Sequence, residues 1–413
     1  MTHDPVRAQG ELRKAQGFPW TMLGGFALVF AASFFLFLRE YGYVGADLYI
    51  HASIAADFDF TDLHSITSRL SYPVWHLVVS TLYQLGMPLG LAAAGICALC
   101  KGVSFCLTER LVSALSGGRA NRFLTLGLSL LLMIVTAVYI PSVSSTVYRG
   151  VGSPNVWHNP TQQAVTAAML LVMPWLAHCW YELERMRDAG QANVLLPWWK
   201  VAVLAALCVF SLACKPTFMQ ALLPAAFAMF LVELCRNRGQ WRYFGQIVLA
   251  FVPSVIYFLV SYLYYTGVLV EFTSGAEFGV TLETAWVALR NAVMMSLCPL
   301  LTLAACRRKG LFKDRMLVLA LLMVLFSALE AMAFRETGQR AGHGNFTWAA
   351  NSSAFFLWVV TTGTGLRCWR EDRARGLTGW QRAGYGLALA AGGWHLYSAV
   401  YYLRYLLTTA APF

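Results

Sequence analysis

Apolar runs of about 20 residues, the length that crosses a hydrocarbon core, recur along almost the whole chain. The first extends from Phe18 to Leu38 and carries no charged residue. Further runs lie at 91–108, 123–140, 162–181, 198–214, 217–234, 244–266, 284–305, 316–334, 346–366 and 383–407. The core of one water-soluble domain cannot enclose so much apolar surface. Composition agrees: 58% of residues are hydrophobic and 12% charged, against roughly 25% charged in soluble domains. The pattern predicts an all-α polytopic membrane protein with about eleven transmembrane helices.

Short loops between the runs hold most of the positive charge. With a cytoplasmic N-terminal tail at 1–17, 22 of the 31 Lys and Arg fall in cytoplasmic segments. The positive-inside rule then places the C-terminus outside. This orientation requires that Tyr72–Gly90 does not cross, since a span there would turn every later basic loop outward. Pro73, at its second position, suits a first helical turn, and its Tyr and Trp suit the interface. The expectation is an interfacial helix within a first outer loop, 39–90. A second polar outer loop is expected at 141–161 and another at 335–345, all in one integral-membrane domain covering 1–413.

The net charge of +11 is scattered and forms no contiguous basic face, which argues against a nucleic-acid partner. The ten cysteines lie in or beside apolar runs, so no disulfide framework is expected. Cys97 and Cys100 read as small packing residues within a span rather than as a redox or zinc pair.

Polar residues able to do chemistry gather in four outer segments. The first holds Asp47 and His51; on a helix, positions i and i+4 share one face. Asp47 follows the first span closely, where a carboxylate at membrane depth is usually functional. Asp57, Asp59 and Asp62 read as residues that keep the loop wet, and His64 and His76 as interfacial. The second segment runs from Tyr148 and Arg149 through Asn155, Trp157, His158 and Asn159, broken by Gly and Pro. The third is Lys215, between two spans, a point charge suited to phosphate or to snorkelling toward headgroups. The fourth runs from Ala333 to Trp348 and holds Arg335, Glu336, Arg340, His343 and Asn345. Lys101 and Arg290 lie inside apolar runs; a partner such as Glu109 or Glu330 would account for them, and a lipid-phosphate path is the alternative. No P-loop, HExxH or GxSxG stretch is present, and no metal-ligand run starts at His51.

This layout resembles the GT-C superfamily of membrane glycosyltransferases, which take a sugar from a polyprenyl-phosphate carrier. The resemblance covers roughly the first half of the chain. It lies in one span, then Gly45-Ala-Asp47-Leu-Tyr, then Tyr72-Pro-Val-Trp-His76 opening an interfacial helix, and on to the second polar outer loop. It implies that Asp47 is the general base or orienting carboxylate, with His51 beside it. It also implies a donor phosphate on Lys215, Arg335 or Arg340. Asn155, His158, Asn159, Glu336, His343 and Asn345 are then candidates for the acceptor or the sugar. The chain departs from the family pattern in two places: Asp47 is followed by Leu48 rather than a second acid, and the second loop offers Asn155, His158 and Asn159 rather than an acid. A divalent metal at the outer site is therefore left open, with no other cofactor expected.

The implied partners are a polyprenyl-phosphate-linked sugar and the bilayer of the cell membrane, and the implied context is cell-envelope polysaccharide. Two alternatives stand beside this reading. A polymerase or ligase of lipid-linked polysaccharide uses related donors. A transporter of lipid or sugar puts ionisable groups near the midplane and usually shows a repeat, whereas here they cluster toward one face.

Overall fold

The computed structural model describes residues 20–62, 66, 72–118, 120–143, 152–191, 195–236, 241–265, 274–306, 311–338 and 345–409. Thirteen α-helices lie among the described residues. The first two thirds of the chain contribute α1 (Trp20–Tyr41), α2 (Asp47–Ala56), α3 (Val74–Gln84), α4 (Leu89–Leu115), α5 (Arg122–Leu132), α6 (Pro160–Asp188), α7 (Trp198–Cys214), α8 (Thr217–Arg236) and α9 (Trp241–Tyr265). The remainder contributes α10 (Leu282–Cys306), α11 (Arg315–Ala333), α12 (Trp348–Arg375) and α13 (Gly379–Thr408). Seven of them, α1, α4, α6, α8, α9, α10 and α11, are long and apolar enough to cross a membrane. The apolar helices α5 and α7 are shorter. The chain is therefore a helical membrane protein, as its apolar runs require.

Close approach of α1 to α4 is built into both sequences. A Cβ at Gly25 would stand 2.5 Å from the Phe105 ring, and one at Gly102 would stand 2.6 Å from Phe26. Each helix thus receives a phenylalanine of the other where it has no side chain. Farther along the chain, α12 is polar for a buried helix. It carries Asn351, Ser352, Ser353, Thr361 and Thr364, all enclosed by protein. It packs against α4, α8, α10 and α11, so neighbouring helices rather than lipid surround its hydroxyls.

Contacts between helix ends fix their directions. Arg39, in the last turn of α1, donates to the carbonyls of Leu406 (3.3 Å) and Thr409 (3.4 Å) at the end of α13. Those carbonyls have no helical partner, so the guanidinium satisfies them. At the far end, Lys200 at the start of α7 meets Glu182 near the end of α6. Arg315 at the start of α11 meets Glu184 of α6 and Glu233 of α8 there too.

Three features differ from the sequence reading. The run 123–140 is helical only to Leu132 and then unwinds; Val138 N–H donates to Met294 O (3.0 Å), and Ser398 Oγ accepts from Tyr139 N–H (2.9 Å). Second, the part of the 141–161 loop described from 152 onward is not a wet loop. Ser153, Asn155, Trp157, His158 and Asn159 are all buried, so the segment enters the bundle. Third, a short antiparallel pair joins β1 (Ser274–Phe278) to β2 (Phe334–Gly338), with Glu277 opposite Arg335 and Ala276 opposite Glu336. The 11-residue α3 is about 16 Å long, too short to cross.

Candidate active site

Asp47 opens α2, where a carboxylate suits the positive end of the helix dipole. Its side chain is 41% exposed, and it stands where the inserted segment 152–159 reaches the helix. Asn159 Nδ2 donates to Asp47 Oδ2 at 3.2 Å. His158 Nε2 lies 3.9 Å from the same oxygen.

Asn159 is the hub. Its Oδ1 accepts from Lys215 Nζ (2.9 Å), Thr161 Oγ1 (2.8 Å) and the Gln162 N–H (3.0 Å). The last bond caps α6 at its N-terminus, and Pro160 takes the first helical position, where no N–H is needed. Three donors on Oδ1 fix the amide orientation. The NH₂ group must then face Asp47, which serves as acceptor. One amide therefore bridges the carboxylate at the mouth to the ammonium beneath it.

Lys215 sits between α7 and α8 in extended backbone (φ −173°, ψ 139°), the conformation favoured before a proline, here Pro216. It is only 4% exposed. Its Nζ lies 4.0 Å above the Trp348 ring, and Trp348 also meets His158 edge-on at 5.5 Å. No carboxylate comes within ion-pair distance of Lys215 among the described residues. Burial pushes its ammonium down to about 7, against the opposing pull of Asp47. Deeper polar contacts continue the wall: Gln162 Nε2 donates to Ser352 Oγ (2.7 Å), and Thr217 Oγ1 to Gln162 Oε1 (3.3 Å).

His51 follows Asp47 by one turn of α2. Its Nδ1 lies 2.8 Å from His76 Nε2 of α3, so one ring donates and the other accepts. Burial pushes His51 down to about 4, with Asp47 opposing and Lys215 adding to the effect. His76 is held well below the usual range by burial and by His51. Both rings are neutral near pH 7, and the pair pins α2 to α3.

The structure thus gathers Asp47, His51, His158, Asn159 and Lys215. Asn155 lies apart, bonded to Lys101 (2.6 Å). Arg335 is exposed on β2, with its Nη2 3.1 Å from where a Cβ on Gly279 would stand. Glu336 is buried on the same strand. Asn345 opens a short 3-10 helix before α12. Arg340 and His343 lie outside the described residues, as do His64 and Arg149. Asp57, Asp59 and Asp62 are exposed. Asp59 has a turn-forming role, since its Oδ1 accepts from the Thr61 N–H (2.9 Å) and hydroxyl (2.7 Å). Those bonds hold its carboxyl below the usual range.

Sequence reasoning missed Trp348, Gln162 and the pairing of His76 with His51. It also missed Glu40, a buried carboxyl near the end of α1 within electrostatic reach of Asp47. Glu40 Oε1 has no hydrogen-bond partner among the described residues. An acid at the end of an apolar run was the available signal. Among the described residues no three His, Cys, Asp or Glu side chains gather as a metal-ligating group. No protein-family model matches this chain, and no curated protein matches it.

Proposed function

We propose that the chain is a membrane glycosyltransferase that moves a sugar from a polyprenyl-phosphate carrier to an acceptor hydroxyl. The observation that carries this reading is the Asn159 bridge between a half-exposed carboxylate and a buried, carboxylate-free ammonium. A transfer with a phosphate leaving group needs those two groups. Lys215 stabilises negative charge as it develops on the departing phosphate. Asp47, open to solvent, takes the proton of the incoming hydroxyl. A single displacement inverts the anomeric carbon. His158 and Asn159 orient the carboxylate, and Trp348 holds the ammonium in place between turnovers.

The site end is the outer face in this reading, and the eleven segments expected from the sequence all cross, α5 with its unwound end included. Basic residues at the far end, such as Arg236, Arg315, Arg367, Arg373 and Arg375, give the orientation. The layout shared with GT-C enzymes at Gly45–Tyr49 and Tyr72–His76 supports the same assignment. Arg335, on β2, and Arg340 remain candidates for the donor phosphate in this reading.

The test is calorimetric titration of the protein in nanodiscs with decaprenyl-phosphate-linked mannose, decaprenyl phosphate and decaprenol. Binding of both phosphates, lost in Lys215→Met, is expected, with no binding of decaprenol. Equal binding of decaprenol, or unchanged binding in Lys215→Met, overturns the assignment.

A further inference from the structure

We infer that Lys101 is a positioning residue for the Asp47–Lys215 site, acting from inside α4 through Asn155 and the inserted segment. A lysine within an apolar helix is costly and persists where something holds its head group. Lys101 is 3% exposed. Its Nζ donates to Asn155 Oδ1 at 2.6 Å and lies 4.4 Å over the Trp157 ring. No ion pair reaches it among the described residues. Both partners belong to the segment 152–159, so among the described residues the polar contact of the lysine is with that segment.

Asn155 explains why a cation is needed there. Its Nδ2 gives both hydrogens to carbonyls that the unwinding of α5 leaves open, Leu132 O and Val135 O, each at 2.8 Å. The amide oxygen then points the other way, into protein, and Lys101 is its donor. Without that donor the oxygen is a buried acceptor with no partner. Flipping the amide would set its oxygen against two carbonyl oxygens. Ser153 closes the knot, accepting from Thr136 Oγ1 (2.8 Å) and donating to Asn155 O (2.7 Å).

From this knot the chain runs three residues to His158 and four to Asn159, the residues that meet Asp47. Trp157, between them, packs on Phe37 of α1 at 5.8 Å. The depth of Asn159, and with it the Asp47-to-Lys215 bridge, is therefore set by where Lys101 holds Asn155. A lysine that merely filled space in α4 would carry no such consequence.

Fluorine NMR of the full chain in nanodiscs tests this, with 5-fluorotryptophan incorporated and the Trp157 and Trp348 signals assigned by Phe substitution. Trp157 reports the lysine itself; Trp348, packed on Lys215 and His158, reports the site. In Lys101→Met both signals are expected to move, while in Lys101→Gln, which keeps a donor, Trp348 is expected to return toward its native position. A Trp348 signal that stays native in Lys101→Met while Trp157 moves overturns the inference. If Lys101→Met does not fold, Asn155→Ala supplies the comparison, because it removes the acceptor that Lys101 holds while the lysine stays in place. A native Trp348 signal in that variant overturns the inference as well.

The binding arm rests on the proposed function. Decaprenyl phosphate should bind Lys101→Met about ten- to a hundredfold more weakly, the size seen when an outer partner of a site is lost. Native affinity in Lys101→Met counts against the inference. Failure of the native chain to bind the phosphate counts against the proposed function instead, and the fluorine signals still decide Lys101.

Discussion

The two ends of the bundle treat their charges in opposite ways. At the far end Lys200, Arg315 and Arg367 meet carboxylates. Lys200 Nζ lies 2.6 Å from Glu182, and Arg315 lies 2.8 Å from Glu184 and 2.9 Å from Glu233. Arg367 lies 3.7 Å from Asp314. These pairs tie α6, α7, α8, α11 and α12 together. At the Asp47 end the buried cations Lys101 and Lys215 rest on asparagine oxygens and tryptophan faces. Neutral dipoles compensate a buried ammonium only in part. The contrast separates cations that pair with carboxylates between helices from cations held by neutral amide oxygens and indole rings.

That comparison breaks first at Asp47. Asp47→Asn keeps the shape and removes the base, so transfer should fall by about a hundred- to ten-thousand-fold, with donor binding retained. Steady-state assay of the purified variant checks this, and full activity would remove the enzyme reading. The far end should answer differently. Arg315→Met removes the cation that bridges Glu184 and Glu233, leaving Glu233 with Arg236 at 3.9 Å, and loss of charged hydrogen bonds in such a partly buried site costs about 1.5–3 kcal/mol. The expected outcome is a lower unfolding midpoint in denaturant, with site affinity unchanged in the fraction that remains folded.

Acidity sharpens the comparison further. Burial brings Lys215 down to about 7 from an ordinary value of 10.5. Above that pH Lys215 is uncharged in the free site, so affinity for decaprenyl phosphate should fall about tenfold per pH unit. Stability should move the other way. Between about 7 and 10.5 the unfolded chain holds a proton that the folded chain has released, so this lysine favours folding more as pH rises through the window. Both trends should vanish in Lys215→Met. The smallest effect is expected at Asp59, whose exposed carboxylate accepts from the N–H and hydroxyl of Thr61 in its own turn. Asp59→Asn should leave transfer and the thermal midpoint at native values; a large loss would bring the first loop into the site.

The sequence alone determined the membrane class and where most of the apolar helices lie, because apolar run length is a local property that lipid reads directly. It also singled out Asp47, His51, Lys215 and the stretch Asn155–Asn159, since polar residues stand out in a chain with so few of them. Only the tertiary structure decided how these residues meet. The apolar run at 123–140 reads as a complete helix, and its end unwinds because Asn155, Met294 and Ser398, remote in sequence, take its backbone groups. The second loop reads as a polar outer loop, yet its segment 152–159 is buried, where two lysines remote in sequence donate to the amide oxygens of Asn155 and Asn159. Trp348 sits beside Lys215 across more than a hundred residues, and His76 joins His51 from a separate helix. Local pattern reports which residues want partners; the packing of distant helices chooses the partner, because a buried hydrogen bond is satisfied by whatever group the fold brings within reach.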